Sequence, residues 1–130
     1  MIVVDSSAIV AILLGEADAP LYGRVLATAD EVRMSAVTDS ELRIVLGRYG
    51  GPPLVERYDA LVNEIGIVMV DFDQAESLKS SEAYRLFGKG NHPAGLNMGD
   101  CVAYALAKRL DAPLLFKGND FARTDIRRAL

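Results

Sequence analysis

The chain is expected to fold as an α/β domain with a mostly parallel central sheet of four to five strands and helices on both faces. Two observations predict this. Short, wholly apolar, β-branched runs such as Ile2-Val3-Val4 recur along the chain, and a strand covered on both faces reads that way. Between them lie segments whose apolar residues repeat at helical spacing, and strands alternating with helices build parallel sheets with right-handed connections. The 130 residues are expected to form a single domain, 1–130, because two cores in so short a chain would each be too small to hold.

Ile2-Val3-Val4 is the first strand, and Asp5 ends it. Ser6 or Ser7 is placed to cap a helix running through Ala8 to Leu14, closed by Gly15. Pro20 suits the first turn of a second helix, with Leu21, Val25 and Leu26 inward. Val32 to Val37 is the second strand. Thr38-Asp39-Ser40-Glu41 then matches a capping box opening a helix through Leu46. Gly50-Gly51-Pro52-Pro53 reads as a loop between helices, and Leu54, Tyr58, Leu61, Val62 and Ile65 share one face of the next. Ile67 to Val70 is a third buried strand, followed by a helix over 73–87. Gly88 to Gly99 forms a loop. Asp100 opens a helix through Leu110, Pro113 to Phe116 is a fourth strand, and Ile126 to Leu130 adds an edge strand.

Such sheets bind ligands outside the carboxyl ends of their strands, where the strand order reverses. Asp5 and Asp120 follow strands, and Glu41 and Asp100 lie in first turns of helices, so all four can reach that edge. Converging carboxylates repel one another unless a positive charge sits among them, and a hard divalent cation, Mg²⁺ or Mn²⁺, suits oxygen donors. The chain therefore reads as a metal-dependent enzyme that cuts phosphodiesters.

Each acid has a competing explanation. Asp5 could cap the following helix, although Ser6 and Ser7 are available for that, and a carboxylate directly after an apolar strand is costly without a partner. Glu41 occupies the last position of its capping box, which accounts for it as well as a ligand role does. Asp100 suits the positive end of a helix dipole, and Asp120 suits a Gly-Asn-Asp turn. Asp71 and Asp73, which also follow a strand, read as a cap for the next helix, and Asp125 as a turn residue that could help hold a second ion. His92 reads as a structural or substrate-contact residue, and Tyr49, Tyr58 and Tyr84 as packing residues rather than base-stacking platforms. Cys101 reads as a small buried apolar residue, for it has no evident partner as a nucleophile.

The balance is acidic, 18 acids against 14 Lys and Arg, which does not favour phosphate binding unless the bases gather on one face. A single cysteine excludes a disulfide framework and a cysteine zinc cluster. The apolar stretch from Ile2 to Leu14 is broken by Asp5-Ser6-Ser7 and has no basic leader, and nothing is long enough to span a membrane. A cytoplasmic protein is expected.

Four segments together resemble the VapC ribonuclease toxins of the PIN-domain nucleases: Met1 to Ala8, Glu41 to Leu46, His92 to Cys101 by way of Gly99-Asp100, and Leu115 to Phe121. The resemblance spans essentially the whole chain. It implies a PIN fold, Mg²⁺ or Mn²⁺ held by Asp5, Glu41, Asp100 and Asp120, cleavage of RNA, homodimers, and a cognate antitoxin that occupies the active-site groove. Ser6 stands where the family often has Thr or Ser and would orient the metal or its water. Asp39, Asn119 and Gly47 depart from the family's usual residues. Arg43, Lys89 and Lys117 are candidate phosphate contacts. Two other classes fit the size and pattern: a receiver-type phosphorylation switch using Asp71 and Lys117, and a catalytically inactive partner-binding PIN domain. An aspartyl-phosphate phosphatase fits less well, since Ser7 stands where it needs a second acid.

Overall fold

A computed structural model describes residues 1–130. Four strands form one sheet in the order β3-β2-β1-β4, every neighbouring pair parallel. They are β1 (Ile2–Val4), β2 (Val32–Ser35), β3 (Val68–Val70) and β4 (Leu114–Leu115). The five helices are α1 (Ser6–Leu13), α2 (Ala19–Thr28), α3 (Ala36–Ile65), α4 (Gln74–Phe87) and α5 (Met98–Arg109). From β1 the chain builds outward through β2 and β3, then crosses to β4 on the other side of β1. The order reverses between β1 and β4, which makes the crevice at their carboxyl ends the natural place for a site.

The strand period of two divides the core. Ile2, Val4 and Leu115 face one layer with residues of α1, α2 and α3, including Ile9, Leu26, Leu42 and Tyr58. Val3 and Leu114 face the other, against Ala83 of α4 and Cys101, Tyr104 and Leu106 of α5. Helices thus cover both faces, as expected. No helix is long and apolar enough to cross a membrane.

Several boundaries differ from expectation. Helix α3 starts at Ala36, capped by the Ser35 hydroxyl accepting from the Val37 amide, so β2 ends at Ser35 and Thr38 lies within the helix. The 50–53 break is a kink rather than a loop: Gly51, at φ 69° and ψ −164°, supplies a conformation that side-chain-bearing residues avoid, and helix resumes at once. The third strand is not buried. It is the sheet edge, with Val68 43% exposed, and an apolar run alone does not separate edge from centre. Leu21 points to solvent, and Tyr22 takes its place in the α2 core face. At the C-terminus the edge strand is reduced to one bridge, Leu114 to Arg128.

Candidate active site

Asp5 leaves β1 in an extended conformation and is itself the N-cap of α1. Its Oδ2 accepts from the Ser7 amide at 3.1 Å and from the Ser7 hydroxyl at 2.6 Å. Neither Ser6 nor Ser7 caps the helix; Ser7 instead holds the cap. The Ser7 hydroxyl also accepts from the Lys117 amide at 3.0 Å, which ties the end of β1 to the loop after β4. Asp5 is only 5% exposed, and burial raises its carboxyl pKa against the Ser7 hydrogen bonds that lower it, with the Glu41 charge adding to the rise.

Glu41 loses its competing explanation. With α3 capped at Ser35, Glu41 lies in the second helical turn, where no capping role exists. Its Oε2 stands where Gly99 leaves room: a Cβ there would come within 2.6 Å. Glu41 is thereby set beside Asp100 at the start of α5.

Asp100 gains a structural role that sequence reasoning missed. Asn97 caps α5, and the two side chains form a capping box. The Asp100 amide donates to Asn97 Oδ1 at 2.8 Å, and Asp100 Oδ2 accepts from the Asn97 amide at 3.1 Å. The Asn-x-x-Asp spacing carried that signal. Even so, the Asp100 carboxyl is pushed up to about 6, first by burial, then by the charges of Asp5, Asp120 and Glu41 in that order, against the Asn97 bond that lowers it. Asp120 lies exposed on the loop after β4. The four predicted acids therefore share one electrostatic environment at the strand carboxyl edge.

No three His, Cys, Asp or Glu side chains stand close enough together to enclose an ion as they are placed. The donor chemistry nevertheless fits a hydrated Mg²⁺ or Mn²⁺. All four groups offer hard oxygens, and Mg²⁺ keeps several waters while held by one or two carboxylates. Burial and then the neighbouring acids raise the carboxyls of Asp5 and Asp100, so a cation bound here would offset that cost.

The other candidates separate cleanly. Asp39 accepts from Tyr58 Oη at 2.7 Å and from Arg43, which also pairs with Asp59 at 2.9 Å, so this network joins the two halves of α3. Arg43 is consumed there, and the Lys117 ammonium by Asp18 and Glu16, which leaves Lys89 as the one phosphate-contact candidate without an acid partner. Asp125 is held by Tyr104 and Lys108 of α5, which lower its pKa in that order, so it is no spare ligand. Asp73 caps α4, as expected of a cap residue. His92 Nδ1 accepts from the Ala94 amide and its ring meets Phe87 edge-on, a structural role. Cys101 is buried, its thiol pushed by burial and by Asp100 up to about 11, which suits no nucleophile. Tyr58 packs as expected, whereas Tyr49 and Tyr84 are exposed.

The receiver alternative fails on topology. Asp71 follows β3, two strands from β1 and so about 10 Å away, and the Lys117 ammonium is turned to Asp18 and Glu16 instead.

A family model described as PIN domain matches residues 2–127. The ribonuclease VapC28 of Mycobacterium tuberculosis is 45% identical over 129 residues, 98% of this chain and 97% of that protein. The ribonuclease VapC of Mycolicibacterium smegmatis is 44% identical over 126 residues, 95% and 96% respectively. Among solved structures, Mycobacterium tuberculosis VapC20, a toxin that cleaves the sarcin-ricin loop, superposes with a TM-score of 0.77 at 17% identity over 97% of this chain and 96% of that one.

Proposed function

The chain belongs to the PIN domain family and, within it, to the VapC ribonucleases, and from that premise we propose that it is the toxin of a toxin–antitoxin pair, hydrolysing RNA at Asp5, Glu41, Asp100 and Asp120 with Mg²⁺ or Mn²⁺. The observation that carries the site assignment is convergence: Glu41 rests against Gly99, one residue from Asp100, and Asp100 feels the charges of Asp5 and Asp120.

Asp5 and Asp100 are the proposed cation ligands, because they are the two acids whose burial makes ionisation costly without a counter-charge. Lewis-acid polarisation of the phosphodiester and a more acidic water are what such a cation supplies when bound. Ser7 holds the Asp5 carboxylate in one orientation, and its bond to the Lys117 amide keeps the loop bearing Asp120 in register with α1. Glu41, with no cap to satisfy, orients the attacking water or completes the ligand set. Hydrolysis by water leaves a 5′-phosphate and a 3′-hydroxyl. Lys89 is the proposed phosphate contact.

A cognate antitoxin and a second copy of the chain are the proposed partners, and residues 1–130 the proposed single domain. What supports the antitoxin is membership among the VapC ribonucleases. The cytoplasm is the proposed location, supported by the lone buried cysteine.

The test is RNA cleavage by the purified chain free of antitoxin, with Mg²⁺ or Mn²⁺ and then with EDTA, beside Asp5→Asn. Metal-dependent cutting lost in Asp5→Asn is expected. Cutting that survives EDTA, or full activity in Asp5→Asn, would refute the assignment.

A further inference from the structure

We propose that a cleft bounded by Phe72, Ser80, Tyr84 and Met98 is a nucleobase pocket that selects the base next to the bond being cut. This rests on the ribonuclease reading and adds a specificity site to it.

The cleft lies between α4 and the first turn of α5, with a volume of about 340 Å³, within the range of small-ligand pockets. Phe72 is shared with a second cleft that contains Glu41, Ile44 and Val45. Met98 stands two residues before Asp100 in the turn that packs on Glu41 through Gly99. The pocket therefore adjoins the catalytic carboxylates on the side of Glu41 and Asp100.

Its chemistry points to a neutral flat ring with a polar edge. No charged side chain lines it, which disfavours phosphate and acidic peptide alike. The Ser80 hydroxyl is buried, with its residue 8% exposed, and it is the one buried side-chain polar atom in the protein with no hydrogen-bond partner. Buried hydroxyls are almost always satisfied, by protein or by water, so an orphan lining a cleft is open to a polar atom of whatever fills that cleft. A purely apolar guest, such as a leucine or phenylalanine side chain from another protein, would leave it unsatisfied. A nucleobase satisfies it at its hydrogen-bonding edge while its face meets an aromatic ring.

That ring is preset. Tyr84 is 39% exposed, and its hydroxyl donates to the Lys89 carbonyl at 3.0 Å, so the side chain is fixed before any ligand arrives. Met98, 67% exposed, offers a polarisable thioether at the mouth. Lys89, a cation without an acid partner, belongs to the loop that Tyr84 anchors, where it can meet the phosphate of the nucleotide whose base is bound. Stacking platforms paired with a nearby cation are the general means of holding single-stranded nucleic acid.

The experiment cleaves a random single-stranded RNA library with wild type, Ser80→Val, Ser80→Ala and Tyr84→Ala, and sequences the product ends. Wild type is expected to prefer one base at a position adjoining the cut. Ser80→Val, which fills the pocket and removes the hydroxyl, and Tyr84→Ala are each expected to weaken that preference about tenfold, leaving preferences at other positions intact. Should Ser80→Val fail to fold, Ser80→Ala carries the same test, since removing an unsatisfied hydroxyl does not disturb packing. The proposal is overturned if wild type shows no preference beside the cut, or if the variants keep it. It is also overturned if the variants lose binding to the antitoxin with base preference unchanged, for the pocket would then belong to a protein partner. Failure of wild type to cut any member of the library, in Mg²⁺ or Mn²⁺, would instead sink the ribonuclease reading on which the pocket depends.

Discussion

Replacing Asp100 by Asn should make the cation-free protein more stable at neutral pH while abolishing its activity. The Asp100 carboxyl is raised from its ordinary 3.8 to about 6 in the folded chain, by burial and then by Asp5, Asp120 and Glu41. Between those two values the native state keeps a proton that the unfolded chain releases, so stability falls as pH rises through that window and the full cost is present above about pH 6. At about 1.4 kcal/mol per pH unit the rise costs about 3 kcal/mol, which solvent screening at this half-buried side chain reduces to about 1–3 kcal/mol. An Asn amide oxygen can still accept from the Asn97 amide, so the capping box survives the substitution. Asp5, also raised, acts in the same direction in both proteins, and because its charge and that of Asp100 repel, the substitution relieves that repulsion as well. The assay is urea denaturation in EDTA from pH 4 to pH 8. The variant should match wild type near pH 4 and exceed it by about 1–3 kcal/mol above pH 6. Adding Mn²⁺ at pH 7 should raise wild-type stability and narrow the gap. A pH-independent difference, or a variant less stable than wild type at pH 7, would refute the reasoning.

Ser7→Ala removes the hydrogen bond to the Asp5 carboxylate and the acceptor of the Lys117 amide, and should cost about 2–4 kcal/mol by urea denaturation, with Ser7→Thr restoring most of it. Gly99→Ala places a methyl against Glu41 Oε2 and should displace that side chain. Cleavage is expected to fall about tenfold or more, with stability held or raised by up to about 1 kcal/mol, because Ala is the better helix former. Lys89→Ala should weaken RNA binding and flatten its salt dependence, whereas Arg43→Ala, whose guanidinium is engaged by Asp39 and Asp59, should leave both unchanged in filter binding.

The individual strands and the acids at their ends were legible because both signals are local. A β-branched run ending in Asp announces a strand and a carboxylate at its end, and β1 forms as read. Errors fell where two local signals compete or where a partner is distant in sequence. Ser35 and Thr38 can each cap a helix, and choosing the later one gave Glu41 a capping role it does not have. For Asp5 a cap and a ligand role compete in the sequence, yet its Oδ2 serves the cap without consuming the whole carboxylate. The engagement of Arg43 by Asp59 and of Lys117 by Asp18 depends on tertiary placement, so two of three phosphate-contact candidates were spent in ways no spacing reveals. Asn97 was legible and overlooked, for Asn-x-x-Asp before a helical run is a start signal. The orphaned Ser80 hydroxyl was not legible, since serine in an amphipathic helix is ordinary until its surroundings are known.

The most direct test of the central claim, that four separated acids form one cation-dependent centre, is a calorimetric Mn²⁺ titration of wild type beside Asp5→Asn, Glu41→Gln, Asp100→Asn and Asp120→Asn. The account predicts saturable binding by the wild-type chain and at least about tenfold weaker binding in Asp5→Asn and Asp100→Asn, with smaller losses in the other two. Absence of binding by folded wild type, or wild-type affinity in Asp5→Asn or Asp100→Asn, would contradict it.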